Sequence, residues 1–217
     1  MTGVRWYYGI LAAIVTYAIV GQIVMNIHDD KSIVDMFSYF TIQSNVLVLV
    51  TSWILAFRPD IAGNVWRPVR LAALTGITVT GLVYWTVLAW SVHLSGVALF
   101  YNYLFHLVSP LMTILGFVFI GPRLQLARRD MIFLVWPVLY LVYTMVRAAV
   151  ADPTFQGLGE KPSQYPYPFL DASEVGVPAV IASIALVAAI ITGVGFAYIH
   201  AEARLEARQA RRLAPAQ

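Results

Sequence analysis

Hydrophobic residues fill six stretches of the chain, each about as long as a membrane-spanning helix. A helix needs about 20 mostly apolar residues to cross a bilayer. The six stretches cover residues 6–26, 33–57, 70–90, 98–120, 131–150 and 176–199. Together they use most of the 217 residues and leave no room for a separate soluble domain. The pattern predicts a single all-α domain over residues 1–217, a bundle of six transmembrane helices with a helical tail at 200–217.

Polar side chains form a stripe on one face of three of these predicted helices. The spacing of three, four or seven residues places the members of each stripe on the same helical face. The stripes are Ser38, Thr41, Ser44 and Asn45 on the second helix, Asn102, His106, Ser109 and Thr113 on the fourth, and Tyr140, Tyr143, Thr144 and Arg147 on the fifth. Ionisable groups at membrane depth are costly, so His106 and Arg147 are the first candidates for a functional site.

The stripes on helices two and four are expected at the same depth. Thr41 lies eight residues after the predicted start of its helix, and His106 lies eight residues after the start of its own. At about 1.5 Å of rise per residue, both lie roughly 12 Å below the same membrane surface. We therefore expect one polar pocket between helices two, four and five, in the half of the bilayer where helices two and four begin.

A threonine beside a histidine favours nucleophilic chemistry. The threonine hydroxyl is a weak nucleophile until a neighbouring base takes its proton, and a neutral imidazole within about 2.6–3.2 Å can do so. Ser44, Asn45 or Asn102 would hold the imidazole or donate to an oxyanion. The same groups also suit a structural role, because Ser, Thr, Asn and His commonly hydrogen-bond between membrane helices.

Arg147 and the tyrosines near it are the predicted substrate contacts. A guanidinium binds a carboxylate through two parallel hydrogen bonds, and Tyr143 lies one turn before Arg147 on the same face. The alternative for Arg147 is that its side chain extends to the nearby membrane surface.

Composition and charge agree with a membrane bundle and predict its orientation. Only 12% of residues are charged, whereas soluble proteins have about 25%. Lys and Arg gather on the cytoplasmic side of membrane proteins. With both termini in the cytoplasm, the inner segments hold Arg5, Arg58, Arg67, Arg70, Arg123, Arg128, Arg129, Arg204, Arg208, Arg211 and Arg212, and the outer loops hold Lys31 and Lys161. The net charge of +3 is thus an orientation signal, and we expect no nucleic-acid partner.

The sequence offers no sign of a cofactor. It has no cysteine, which excludes thiolate metal sites and a catalytic thiol. A zinc-dependent hydrolase needs several histidine and acidic ligands, and these do not cluster within the predicted helices. We expect neither a metal nor another cofactor.

Three motifs resemble segments of the androgen-induced and androgen-dependent membrane protein family, which has bacterial relatives. Phe40-Thr41-Ile42 resembles the family's threonine segment, and Asn102-x-x-x-His106 with Pro110 resembles its histidine segment. Tyr167-Pro168-Phe169-Leu170-Asp171 resembles the segment before its last helix. The motifs occur in the family's order. Ser44 stands where the family has an acidic residue, Pro110 comes one residue early, and Arg147 has no family counterpart that we can place.

The resemblance implies a function and roles for individual residues. The eukaryotic members are six-helix proteins that hydrolyse fatty acid esters of hydroxy fatty acids with a membrane-embedded threonine and histidine. By resemblance, Thr41 is the nucleophile, His106 is the base, and Tyr167–Asp171 closes the outer mouth of the site, with Tyr167 at the substrate.

Two functions remain open at this point. One is a lipid-ester hydrolase of the bacterial cytoplasmic membrane whose partner is a membrane lipid or fatty acyl ester. The other is a non-catalytic lipid-binding or transport-type membrane protein that uses the same pocket.

Overall fold

The structure, a computed structural model, is all-α and describes residues 2–155 and 162–213. Six helices are long and apolar enough to cross a membrane, which confirms the predicted number. They are α1 (Thr2–His28), α2 (Phe40–Phe57), α3 (Trp66–Ser91), α4 (Gly96–Ile120), α5 (Arg128–Ala151) and α6 (Val177–Leu213). The predicted tail is a continuation of α6 as far as Leu213. Residues 214–217, and Glu160 and Lys161 of the long loop, lie outside the described residues.

The second predicted helix, 33–57, is divided in the structure. A short helix, Ile33–Phe37, ends at Ser38, and Tyr39 is extended before α2 begins at Phe40. The Ser38 hydroxyl bonds back to the Val34 carbonyl at 2.8 Å, and the Ser38 carbonyl accepts a hydrogen bond from the Tyr140 hydroxyl at 3.0 Å. These bonds satisfy backbone groups that a continuous helix would pair internally. The division places Thr41 in the first turn of α2 and not two turns into a longer helix.

The helix ends gather at two opposite ends of the bundle. At one end, Tyr7 near the start of α1 donates to the Met112 carbonyl near the end of α4, and Arg67 of α3 pairs with Asp130 of α5. We call this the basic end, because it holds most of the arginines. The other end carries residues 29–39, 92–95 and the longest connection, 152–176. We call it the loop end.

Helices α1 to α4 form the tightly packed part of the bundle. Gly21 of α1 lies against the Tyr101 hydroxyl of α4, and a Cβ built on Gly21 would overlap that hydroxyl. Only a glycine permits that approach. Helix α3 is the most buried of the six, whereas α5 and α6 are largely exposed on the outside of the bundle.

Arg70, which the charge count included among the inner segments, is buried within α3. Its side chain is 1% exposed inside α3, stacks over the Tyr8 ring at 5.0 Å and donates to Thr51 Oγ1 at 3.0 Å. The stem and guanidinium therefore belong to the core of the bundle and contribute little to its surface charge.

Candidate active site

Thr41 and His106 face each other between α2 and α4. Thr41 Oγ1 lies 3.3 Å from His106 Nε2. The other ring nitrogen, Nδ1, lies 3.0 Å from the Asn102 carbonyl oxygen, one turn earlier on α4. A carbonyl only accepts, so Nδ1 carries the hydrogen, and in the neutral imidazole Nε2 then presents its lone pair to the threonine hydroxyl. This is the tautomer that a general base requires.

The two residues meet although the predicted depths were built on a wrong helix start. Thr41 is the second residue of α2, while His106 is the eleventh of α4. They come together because the helix break at Ser38 and Tyr39 makes α2 begin at Phe40, level with the turn of α4 that carries His106. Thr41 is therefore at a helix N-terminus, where backbone N–H groups lack intrahelical partners and the helix dipole is positive.

A local change of helix type places His106. Residues Leu104–Val108 form a π-helical turn immediately before Pro110. Pro110 has no N–H, so it cannot bond the carbonyl four residues earlier, which is that of His106. Trp85 of α3 supplies the donor instead, with its indole Nε1 2.9 Å from the His106 oxygen. π-helical turns are frequent at functional sites.

Tyr84 is a site residue that sequence reasoning missed. Its ring stacks on the His106 imidazole with centroids 3.9 Å apart and an interplanar angle of 25°. Asn102 donates from its amide to the Tyr84 hydroxyl at 2.6 Å. Asn102 thus holds the imidazole twice, through its own carbonyl and through Tyr84. An aromatic residue in an apolar stretch carries no periodic signal that would set it apart.

The other predicted supporting groups have different positions. Asn45 Nδ2 donates to the carbonyls of Thr41 at 2.9 Å and Phe105 at 3.4 Å, so it fastens α2 to α4 and has no N–H left for an oxyanion. Ser44 points at α3, where its Oγ lies 3.1 Å from the position of a Cβ on Gly76. The Ser44 hydroxyl has no hydrogen-bond partner among the described residues.

Arg147 and Tyr143 form a separate cluster toward the loop end. Arg147 is ion-paired with Asp35 of the short helix Ile33–Phe37, and its guanidinium lies 5.7 Å from the centre of the Phe155 ring. The Tyr143 hydroxyl lies 2.7 Å from Ser38 Oγ. Neither residue lines the cavity beside Thr41. Arg147 Nη1 has no hydrogen-bond partner among the described residues, and binding of a substrate carboxylate by Arg147 stays a prediction.

An apolar cavity of about 260 Å³ leads away from Thr41. Its walls come from α2, α3, α5, α6 and the loop residues Tyr167, Phe169 and Leu170. Helix α4, which was expected to contribute to the pocket, supplies none of the described lining residues. Its polar members are hydroxyl groups, those of Thr41, Thr80, Tyr140, Tyr167 and Thr192. None of the described residues that line it is charged. His106 is not among the residues that line it.

Residues of the loop before α6 line the cavity, and Tyr167 contacts Thr41. The Tyr167 hydroxyl accepts a hydrogen bond from the Thr41 N–H at 3.4 Å. Burial raises the pKa of Tyr167, so its hydroxyl is neutral and keeps a hydrogen to donate. The ring stacks on Phe169 with centroids 5.3 Å apart.

Asp171 holds this loop in shape. Its carboxylate accepts hydrogen bonds from Ser163 Oγ at 2.7 Å and from the Ser173 N–H at 2.9 Å, and it caps the short helix Ala172–Val175. Burial alone would raise the pKa of Asp171, but these hydrogen bonds outweigh it and the pKa lies below its usual value. Asp171 is thus charged at neutral pH and fixes the segment that carries Tyr167.

Comparisons with known proteins add no family to this picture: no family model, curated protein or solved structure matches the chain. Within residues 2–155 and 162–213, no group of three or more His, Asp or Glu side chains is placed to hold a metal ion.

Proposed function

We propose that this chain is an intramembrane lipid-ester hydrolase in which Thr41 is the nucleophile and His106 is the general base. One observation carries the proposal: the imidazole of His106, held at Nδ1 by the Asn102 carbonyl, lies with Nε2 3.3 Å from the hydroxyl of Thr41, which lines an apolar cavity. Nucleophile–base contacts of this length are common before substrate binds. The apolar, uncharged walls favour an acyl chain as the ligand.

The reaction follows from these positions. Thr41 Oγ1 attacks the ester carbonyl carbon while His106 Nε2 takes the hydroxyl proton. The tetrahedral intermediate collapses, the bond to the leaving oxygen breaks, and His106 returns the proton to that oxygen to release an alcohol. Water then attacks the acyl-threonine with His106 again as base, and a carboxylic acid leaves.

The first turn of α2 is the proposed site for the oxyanion. The N–H groups of Phe40 and Thr41 belong to the donors that a helix start leaves unpaired inside the helix, and the positive end of the helix dipole adds to them. The Tyr167 hydroxyl bonds to one of these donors and can turn its own hydrogen to an oxyanion in the same place. Preorganised donors of this kind contribute about 10²–10³ in rate each.

The resemblance to the androgen-induced and androgen-dependent membrane protein family supports the same assignment. Thr41, His106 and Tyr167 each come from a different one of the three motifs, and the contacts of Thr41 with His106 and with Tyr167 support a shared site. We also propose that both termini lie in the cytoplasm of a bacterial cell, so that the site opens to the outer half of the cytoplasmic membrane. The uneven distribution of arginines supports this orientation.

Labelling with a fluorophosphonate probe tests the nucleophile. We expect the purified protein in detergent to label, Thr41→Ala to abolish labelling, and His106→Ala to slow it by about 10²–10⁴, the usual contribution of a general base. Ser52→Ala, which removes another buried hydroxyl from α2, is the matched control and should label normally.

Other outcomes separate the two candidate functions. Undiminished labelling of folded Thr41→Ala would exclude Thr41 as the nucleophile. Failure of the wild-type protein to label and to turn over a panel of acyl esters, together with retained binding of acyl chains, would favour a non-catalytic lipid-binding protein.

A further inference from the structure

Helices α5 and α6 approach closely near the basic end of the bundle. A Cβ built on Gly195 of α6 would lie 3.0 Å from Phe133 Cε1 and 3.1 Å from Met131 Sδ, both on the first turns of α5. A side chain at position 195 would push the helices apart. The glycine therefore makes this the point where α5 and α6 are fastened.

Toward the loop end the cavity separates the same two helices. Pro137, Val138 and Leu141 of α5 line one wall, and Ile184 and Ala188 of α6 line another. Val138 is 60% exposed on the outside of the bundle, and Ala188 is exposed as well. Residues that both line the cavity and face the surroundings of the bundle mark an opening. This opening is on the lipid-facing side, since α5 and α6 are the most exposed of the six apolar helices.

The size and chemistry of the cavity define what can occupy it. A cavity of about 150 Å³ holds benzene, with six carbon atoms, so the 260 Å³ here corresponds to roughly ten carbon atoms. The distance along α6 from Ile184 to Thr192, both cavity-lining, is about 12 Å at 1.5 Å per residue, close to the length of an extended chain of that size. Because none of the described lining residues is charged, a charged headgroup is disfavoured in the interior.

Hydroxyl groups are the polar members of the cavity wall. Thr41 and Tyr167 line the cavity in contact with each other. Thr80 lines it too, but its Oγ1 is fully buried and has no hydrogen-bond partner in the described part of the chain. An ester group suits the hydroxyls of Thr41 and Tyr167 because it has oxygen acceptors and no charge.

We propose that the acyl chain of the substrate enters from the bilayer between α5 and α6 and that the cavity encloses about ten of its carbon atoms. Further carbon atoms project through the same opening into the lipid. The substrate class is thus an uncharged acyl ester with a chain of at least about ten carbons, and Ala188 and Val138 control its access. The assignment of an ester as the substrate rests on the proposed function, whereas the entry route between α5 and α6 rests on the cavity alone.

Matched tryptophan substitutions test the route. Ala188→Trp narrows the opening, whereas Ala189→Trp adds the same bulk to the neighbouring exposed alanine that does not line the cavity. Val138→Trp and Leu139→Trp form a second matched pair on α5, in case one variant does not fold. We expect Ala188→Trp and Val138→Trp to lower binding at least about tenfold, and the two controls to behave as the wild type.

Binding is measured in the Thr41→Ala protein with a decanoic ester that carries a diazirine at the end of its acyl chain. Photocrosslinks mapped by mass spectrometry should fall on the cavity walls of α5 and α6. Competition by unlabelled esters should strengthen with chain length up to about ten carbons and then level off. Crosslinks on the outer faces of α1 or α4, equal effects within each matched pair, or a steady rise to 18 carbons would overturn the inference.

The same experiment separates this inference from the proposed hydrolysis. Correct crosslinks without ester turnover by the wild-type protein would refute the hydrolase and keep the binding route. Turnover that depends on Thr41 but ignores the α5 and α6 variants would refute the route and keep the hydrolase.

Discussion

At the scale of single residues, the site depends on how the imidazole of His106 is held. Its Nδ1 bonds to the backbone of its own helix, while its ring face lies on Tyr84 of α3. The first contact selects the tautomer and the second fixes the ring plane. Asn102 takes part in both, because its carbonyl accepts from the imidazole and its amide donates to the Tyr84 hydroxyl. Asn102, which the sequence singled out by its spacing from His106, thus acts mainly as a positioning residue.

Asn102→Ala and Tyr84→Phe each remove the same hydrogen bond, and we expect similar losses of kcat, about 10–100-fold, with KM changed little. A displacement of about 1 Å in a catalytic group can cost 10²-fold. Steady-state kinetics of both variants and of the double variant measure the coupling. Because the two changes remove one interaction, the double variant should lose little more than either single one. Additive losses would show that Asn102 and Tyr84 act independently.

At the scale of the helix, Pro110 determines the backbone around His106. It removes the N–H that would pair with the His106 carbonyl, and Trp85 of α3 replaces it. Gly81 of α3 permits this contact, because a Cβ there would lie 3.1 Å from Pro110 Cβ and 3.4 Å from the His106 oxygen. The proline thus couples the packing of α3 on α4 to the position of the base.

Trp85→Phe should therefore destabilise the protein by about 1–3 kcal/mol, the cost of a carbonyl left without its donor. In a Pro110→Ala background the alanine supplies a backbone N–H to the same carbonyl, so the same substitution should cost less than half as much. The free energies of unfolding of the wild type, Trp85→Phe, Pro110→Ala and the double variant, measured in mixed micelles, give the cost of Trp85→Phe in each background. An equal cost of Trp85→Phe in both backgrounds would mean that ring packing, and not the hydrogen bond, is what Trp85 contributes.

The helix scale also shows what could be predicted from the sequence. Apolar length indicated the six spans, and the polar stripes indicated that helices two and four face each other. The depth match between Thr41 and His106 rested on a wrong start for helix two, so their contact did not follow from the sequence pattern alone. The division at Ser38 and Tyr39 could not be predicted, since the tyrosine hydroxyls that stabilise it come from α5, about 100 residues later. The ion pair of Arg147 could not be predicted for the same reason, because its partner Asp35 lies on the segment that the division creates.

At the scale of the whole molecule, the basic residues serve two purposes: some stabilise the bundle, and others set its proposed orientation in the membrane. Some basic residues hold the bundle together: Arg67 pairs with Asp130 at 3.5 Å, Arg123 pairs with Glu202 at 3.5 Å, and Arg70 is buried. Others remain exposed at the basic end: Arg5, Arg58, Arg128, Arg129, Arg204, Arg208 and Arg211. The exposed group alone still outweighs Lys31 at the loop end, so the orientation argument survives the loss of the buried and paired arginines.

The absence of cysteine from the sequence makes this orientation directly measurable. Ser95, at the loop end, is exposed and its side chain makes no capping hydrogen bond, and Ala62, at the basic end, is exposed as well. In right-side-out spheroplasts, a membrane-impermeant maleimide should label Ser95→Cys at once and Ala62→Cys only after permeabilisation, with the cysteine-free parent as the unlabelled control. The reverse pattern would place the loop end in the cytoplasm. Tyr167 and the part of the cavity next to it lie toward the loop end. The reverse labelling pattern would therefore also move the proposed access of the acyl chain to the inner half of the bilayer.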